Sequence, residues 1–325
     1  MKNVKFVIPK GSLEKATFAL LERAWYEIHG RERTYRPTIN DPDITLKMLR
    51  PQEIPTFVAE GLHDVGITGK DWIRETRADV ETLLDLEYGK IKLVLAIPRD
   101  LPAASLSDLV KVTAQENRKL RISTEYLNVT AEYLKANAAY QELYGAAQPR
   151  VVTPWWRIGD NSQVSIYLSF GATEAKPPED TDAIIDVTET GATVERNNLR
   201  IIETVMESSA VLVANKQSLT DAGKREKIFD IITLLKGVID SGKKVHIFVN
   251  VKKENLDELL RRLPALKRPT ISSLSDEGWY SVNTVVEKQQ LLQLLPTLRK
   301  LAQGLVVHEP QQILPLEEIS RDENG

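Results

Sequence analysis

Short apolar runs alternate here with segments of helical period, and each run closes on a polar junction rich in glycine or proline. That alternation limits the folds open to the chain more than any other feature. Lys5–Pro9 is an apolar strand, and Gly11-Ser12 turns it into a helix over Leu13–Glu27, where Leu13, Ala16, Leu20, Leu21 and Ala24 recur at helical spacing. Ile44–Leu49 predicts a second strand, and Pro51-Gln52-Glu53 opens a helix that ends near Gly61. His63–Thr68 predicts a buried strand, Gly69-Lys70-Asp71 starts a further helix, and Ile91–Ile97 is continuously apolar. Neighbouring parallel strands need a crossover, usually a helix, so this order implies α/β layers around a largely parallel sheet.

A second α/β unit follows. Arg121–Ser123 is a short strand, Asn128–Leu143 one amphipathic helix, and Arg150–Thr153 and Val164–Phe170 are strands around Trp155-Trp156-Arg157. Arg200–Glu207 and Ala210–Ala214 are strands expected to return the chain to the first unit. After a long helix over Lys224–Ser241 come strand Lys244–Val251, helix Glu254–Leu266, strands Thr270–Ser273 and Trp279–Val286, helix Gln289–Ala302 and strand Gly304–His308. That order is βαββαβ, the ferredoxin-like arrangement. The expected domains are 1–97 with 195–222, then 98–194, then 223–325, with a polar, acidic and mobile tail from Glu317.

Composition removes several classes of function. The 325 residues suit two or three domains, and 42% hydrophobic with 27% charged residues describe a globular chain with ample core. A net charge of −3 gives no general field for nucleic acid, so phosphate binding has to be local. The absence of cysteine excludes disulfides, thiolate catalysis and cysteine zinc sites. His29, His63, His246 and His308 are scattered without metal-ligand spacing. Met1–Pro9 reads as a strand rather than a signal peptide, and no apolar run approaches the ~20 residues of a membrane span, so the cytoplasm is expected.

The richest chemistry lies in Asp182-Ala-Ile-Ile-Asp-Val-Thr-Glu-Thr-Gly-Ala-Thr193. An apolar strand breaks into hydroxyls, a carboxylate and a glycine ahead of a helix. Small residues let backbone N–H groups approach an anion, and carboxylates suit sugar hydroxyls or a metal ion. Turn chemistry alone explains Thr, Gly and Asp at such a junction, but Thr188, Glu189, Thr190 and Thr193 within six residues exceed what a turn requires. Three other junctions carry phosphate-suited residues: Lys10-Gly11-Ser12, Arg50, and Asp64-Val-Gly-Ile-Thr-Gly69. They could converge in one cleft. Trp155-Trp156-Arg157 suits either base stacking or packing against a neighbouring surface. Neither a dinucleotide fingerprint nor a P-loop is present. Phosphate donors beside ribose or Mg²⁺ acceptors suggest a sugar-phosphate ligand, and the residues leave open an enzyme or a non-catalytic two-lobed binding protein.

Together these motifs resemble the ATP phosphoribosyltransferase family in its long form. The resemblance rests on Pro9-Lys10-Gly11, Leu49-Arg50-Pro51, Asp64-Val-Gly-Ile-Thr-Gly69-Lys-Asp71, the Asp182–Thr193 segment and Arg268-Pro-Thr-Ile271. It implies two α/β catalytic domains similar to periplasmic binding proteins, flanking a cleft, plus a C-terminal ferredoxin-like regulatory domain. It implies transfer of the phosphoribosyl group from phosphoribosyl pyrophosphate to N1 of ATP, the first step of histidine biosynthesis. By resemblance, Asp182, Asp186, Val187, Thr188, Glu189, Thr190, Gly191, Ala192 and Thr193 hold phosphoribosyl pyrophosphate. Lys10, Gly11, Arg50, Asp64, Gly66, Thr68, Gly69 and Glu174 face ATP, and Asp186, Glu189, Lys10 and Arg50 carry catalysis. The family implies Mg²⁺ bound largely through substrate oxygens. It also implies a hexamer built from dimers and inhibition by histidine at Asn250, Thr270 and Gly304. Ser12 stands where many relatives carry arginine, and Asn250 where an acidic partner for the effector's amino group is expected. Tyr144–Asp180 is longer than the usual connection.

Overall fold

The computed structural model describes residues 3–30, 34–263, 269–314 and 316. The first lobe is built on a five-stranded sheet. Its parallel strands Val4–Pro9, Ile44–Leu49 and Val65–Gly69 are joined by the antiparallel Ala210–Ala214 and Glu81–Asp85. Val4–Pro9 is apolar except at the exposed Lys5, and from Phe6 to Pro9 it is buried on both faces, as a strand between helical layers must be. Phe6 and Ile8 join Leu21 and Ile231 on one face, while Val7 meets Ile54 and Val58 on the other.

The second lobe holds a seven-stranded sheet. Leu120–Thr124, Asn161–Leu168 and Ala183–Thr188 run parallel near its centre, and Ile91–Pro98 and Leu199–Ser208 extend it antiparallel. Both sheets are therefore mixed: in the first the antiparallel pairings lie on one side of the parallel set, and in the second they flank a parallel centre. The C-terminal sheet orders its strands as Thr270–Ser273, Trp279–Glu287, Lys244–Lys252, Ala302–His308. Helices Lys253–Arg262 and Lys288–Leu301 cover one face of it, which completes the expected ferredoxin-like module.

Several expectations change. Leu199–Ser208 does not return to the first lobe. It pairs with Ile91–Pro98 inside the second sheet, and only Ala210–Ala214 crosses back. The lobes thus divide near residues 90 and 209 rather than at 97/98 and 194/195. Helix Ala222–Lys243 packs Ile228, Ile231, Leu235 and Val238 into the first lobe's core, so the third unit starts at Lys244 rather than at 223. The single helix over 128–143 is two, Leu127–Ala136 and Ala138–Tyr144. Asn137 is extended between them, and its side chain accepts the N–H groups of Ala139 and Tyr140 as an N-cap. Strand Glu81–Asp85 carries too little alternation to read from sequence. Residues 264–266 of the helix expected over Glu254–Leu266, Arg268 and the tail from Glu317 lie outside the described residues.

The module is tied to the first lobe at both ends. Helix Ala222–Lys243 runs directly into its first strand. After its last strand the chain comes back over that helix, where Ile313 N–H donates to the Gly237 carbonyl and Ser241 Oγ donates to the Gln311 carbonyl. Gln312 then donates to the Arg23 carbonyl of the first lobe at 2.7 Å. No helix among the described residues is long and apolar enough to cross a membrane.

Asp64 anchors the base of this helix. It is buried, and accepts the Lys5 N–H at 2.8 Å, Ser218 Oγ at 2.6 Å and Lys224 Nζ at 2.7 Å. Burial works against the charge. The bonds from Lys224, Ser218 and the Lys5 N–H together outweigh it and hold the carboxyl below the usual 3.8. A depressed folded pKa gives stability that is full above 3.8 and fades as pH falls through the folded value. Asp64→Asn is expected to lower stability by roughly 2 kcal/mol at neutral pH. In denaturant titrations at several pH values, its gap from the wild type should close on the acid side.

Candidate active site between the lobes

Parallel strands of both sheets deliver their C-terminal ends to one cleft, the usual ligand position in open α/β sheets. The space is about 430 Å³. From the first lobe it is lined by Ser12, Leu13, Pro51, Gly69, Asp71 and Trp72, and from the second by Tyr126 and Val187–Thr190 with Ala192 and Thr193. The junctions at Ser12, Pro51 and Gly69 therefore do converge opposite the Thr188–Thr193 loop. Gly89 and Ala210, from the two crossing strands, close the back.

The loop is preset by its own side chains. Thr188 Oγ1 accepts the Gly191 N–H at 2.8 Å, and Gly191 sits at φ 82° as the cap of the short helix Ala192–Arg196. Only glycine adopts that left-handed conformation without strain. Val187, Glu189 and Thr190 are exposed toward the cleft.

Asp186 lies one step deeper. Its Oδ1 accepts the Val187 N–H at 2.7 Å, and the Thr173 hydroxyl donates to it. Burial raises its pKa despite these bonds, and Glu174 raises it further. Burial and then the Asp186 charge also raise Glu125. Lys176 stands among the three carboxylates and donates to Ser123 and Ser169, and burial lowers its pKa. Burial and neighbouring carboxylate charge raise both Asp186 and Glu125, and such a site favours an incoming cation or cationic centre. Among the described residues no three acidic or histidine side chains are arranged as a metal cage.

Not every expected residue is at the cleft. Asp182 begins the strand whose far end carries the loop, roughly 20 Å away at ~3.3 Å per residue. It is buried and taken up by Arg118 Nη1 at 2.7 Å and by the backbone N–H and guanidinium of Arg121. Asp64 is likewise at the wrong end of its strand. Gly66 is a packing glycine, since a Cβ there would come within 2.8 Å of Ile54 and 2.9 Å of Val7. Thr68 is buried and donates to the Pro51 carbonyl at 2.9 Å, so it shapes the turn after Arg50. Lys10, Gly11 and Arg50 cluster at the rim. Lys10 Nζ binds Glu14 at 2.9 Å, and Gly11 leaves room for Arg50 Nη1, which a Cβ would approach within 2.8 Å. Trp155 is 72% exposed, edge-on to Phe170, and is not among the cleft-lining residues.

Asp71, Trp72 and Tyr126 were not singled out by sequence. Asp71 accepts Ser208 Oγ at 2.6 Å and the Tyr126 hydroxyl at 2.7 Å, and the Trp72 and Tyr126 rings stack at 4.5 Å. One turn on, Glu75 accepts the N–H groups of Asn128 and Val129 at 3.0 and 2.9 Å, at the start of helix Leu127–Ala136. Helix Lys70–Thr76 of the first lobe is thereby docked onto the second. The sequence signal was an Asp at the first turn of a helix next to an aromatic, which reads equally as a helix-dipole residue.

In the C-terminal module, Asn250 pairs with Gly304 on the adjacent strand, and Thr270 pairs with Asn283, itself opposite Phe248. Val249 and Val251 are buried under the helices, so by strand alternation Asn250, Gly304 and Thr270 share the open face.

Two α/β lobes joined by a double crossing, a hydroxyl-rich loop facing the strand ends of the other lobe and a ferredoxin-like module define a two-lobed α/β cleft protein with an added C-terminal module. The sequence model of the ATP phosphoribosyltransferase family matches residues 50–237, and that of its C-terminal domain matches residues 242–310. The chain belongs to the ATP phosphoribosyltransferase family. It is 39% identical over 308 residues to the ATP phosphoribosyltransferase of Pelotomaculum thermopropionicum, covering 93% of this chain and 96% of that protein. It is 37% identical over 320 residues to that of Thermodesulfovibrio yellowstonii, covering 97% and 99%. Among solved structures, an ATP phosphoribosyl transferase (HisG:HisZ) complex from Thermotoga maritima superposes with a TM-score of 0.55 at 26% identity, over 73% of this chain and 98% of that one.

Tyr126→Phe removes one of the two hydroxyl donors to buried Asp71. A loss of about 1.5–3 kcal/mol is expected for a bond to a charged acceptor. Because that bond fixes the spacing of the lobes, kcat/KM should fall by more than thermal stability alone explains. An unchanged kcat/KM would show that the clasp does not set the cleft.

Proposed function

We propose that this cleft performs the reaction for which the family is named: transfer of the 5-phosphoribosyl group from phosphoribosyl pyrophosphate to N1 of ATP, releasing pyrophosphate, as the first step of L-histidine biosynthesis. The observation that carries the reading is the convergence of the Thr188–Thr193 loop with the Ser12, Pro51 and Gly69 junctions on one space. A sugar phosphate on the loop places its anomeric carbon toward the first lobe, where the purine would approach.

In the reaction the N1 lone pair forms the bond to the anomeric carbon while the bond to the pyrophosphate oxygen breaks, its electron pair leaving with pyrophosphate. Adenine N1 is unprotonated at neutral pH, so the attack needs no general base. The Thr188, Thr190 and Thr193 hydroxyls and the loop N–H groups hold the 5′-phosphate. Asp186 and Glu189 carry negative charge near the ribose, where positive charge develops, and Glu174 stands behind Asp186. Lys10 and Arg50 at the rim offset charge on ATP and on the departing pyrophosphate, and catalysis is mostly positioning. The carboxylates around Asp186 fit a Mg²⁺ ion only as a partial shell. Mg²⁺ would neutralise pyrophosphate while substrate oxygens supply most of its ligands. The open face of the C-terminal sheet, with Asn250, Thr270 and Gly304, receives histidine as inhibitor. The working assembly is a cytoplasmic hexamer built from three dimers.

Purified protein mixed with ATP, phosphoribosyl pyrophosphate and Mg²⁺ should form the N1 adduct, seen by ultraviolet absorbance, and histidine should slow it. Binding without adduct at any enzyme concentration would instead favour a non-catalytic two-lobed binding protein. Asp186→Ala and Thr190→Ala should each cut turnover at least about a hundredfold, as loss of a charge-stabilising group does, with little change in unfolding midpoint. Because burial raises the Asp186 pKa above 3.8, its charge is lost at a higher pH than usual. The acid limb of kcat/KM should therefore lie above that value, and Asp186→Asn should abolish it.

A further inference from the structure

The first lobe has a second, unrelated concavity at the opposite end of its sheet. Strand Val4–Pro9 spans about 20 Å, whereas helix Ile54–Ala59 is about 9 Å long and covers only the Val7 end of that face. The uncovered end is a shelf of about 360 Å³. Lys5 and its cross-strand neighbour Thr45 form the floor with Lys47, Arg36 faces them from a loop, and Phe57 and Leu62 form an apolar wall. Among the described residues no acidic side chain lines it. Lys5, Arg36 and Lys47 have no ion-pair partner among the described residues. The adjacent Asp64 is already engaged by Lys224, Ser218 and the Lys5 N–H. His63 also lines the shelf, 92% buried on an exposure of 8%, and its Nδ1 has no hydrogen-bond partner.

Three uncompensated cations in one concavity repel each other unless an anion joins them. We propose that this shelf is an anion-binding site, separate from the catalytic cleft, that takes a small organic phosphate monoester. Three cationic side chains match the three terminal oxygens of such a dianion. Thr45 Oγ1 donates to Asn3 Oδ1 at 2.7 Å, which leaves the Asn3 amide N–H groups as further donors. Phe57 and the 56% exposed Leu62 suit the organic part of the ligand. The site lies at the N-terminal ends of the strands whose C-terminal ends form the cleft, so its ligand does not compete with either substrate.

His63 reports on occupancy. Burial lowers its pKa, and the charges of Lys47, Lys5 and Arg36 lower it further against the opposing charge of Asp64. A bound dianion among those cations reverses their effect, so binding is accompanied by proton uptake at His63 and raises its titration midpoint.

The test is a pH titration of the full chain labelled with ¹⁵N-histidine, with phenyl phosphate and inorganic phosphate as probes and His63→Gln to assign the signal. Millimolar phenyl phosphate is expected to move the His63 signal selectively and raise its titration midpoint, while inorganic phosphate binds several-fold more weakly. Lys47→Ala should weaken phenyl phosphate about tenfold, the loss of one charged hydrogen bond. Lys47→Arg should retain it, and both variants should keep wild-type turnover and unfolding midpoint. A His63 signal indifferent to both probes, or affinity undiminished in Lys47→Ala, overturns the assignment. Equal affinity for the two probes overturns the organic part of it.

Discussion

The working geometry of this protein depends on the docking of one short helix. Lys70–Thr76 follows directly from a cleft-forming strand of the first lobe, yet its two buried carboxylates, Asp71 and Glu75, accept hydrogen bonds from the second. Glu75 caps a helix across the boundary, and Asp71 collects hydroxyls from Tyr126 and from Ser208 at the crossing point. Buried carboxylates lose hydration, so these bonds are worth most when all are made and little when only some are. The lobes are consequently held at a defined separation on the side where Trp72 stacks on Tyr126. The Thr188–Thr193 loop faces the first-lobe junctions at that separation.

Much of this was legible in the sequence. Apolar runs closing on glycine junctions located the parallel strands, because strands buried on both faces leave a continuous signature. The loop from Thr188 to Thr193 could be read because its hydroxyls exceed what a turn needs. Local patterns fail where chemistry is shared between distant segments. Asp64 and Asp182 sit in motifs beside ligand loops, but each lies at the N-terminal end of its strand and is neutralised by basic residues from elsewhere in the chain, Lys224 in one case and Arg118 and Arg121 in the other. A motif written along a strand contains both ends of it, and only one end can reach the ligand.

The reverse error concerns Asp71 and Tyr126, 55 residues apart. Neither carries a local signature, since their partnership exists only once the lobes meet. Leu199–Ser208 was assigned to the wrong sheet for a related reason: strand period says that a segment pairs but not with what. The helix break at Asn137 was readable in principle, because Asn is among the strongest N-caps. An uninterrupted amphipathic period over 128–143 hid it.

Helix Ala222–Lys243 gives the C-terminal module a mechanical character. It is part of the first lobe's core along one face, becomes the module's first strand without a linker, and is overlaid by the chain that leaves the module's last strand. Two covalent passages at one junction, both packed on the same helix, act like a clamped shaft rather than a tether. Torque applied to the open face of the ferredoxin-like sheet is delivered to the first lobe as a rigid body. The second lobe is joined only through the double crossing and the docked helix, and it is the part left to yield. A signal passing from the module to the cleft would act through the angle between the lobes, with no chain of side chains needed to relay it.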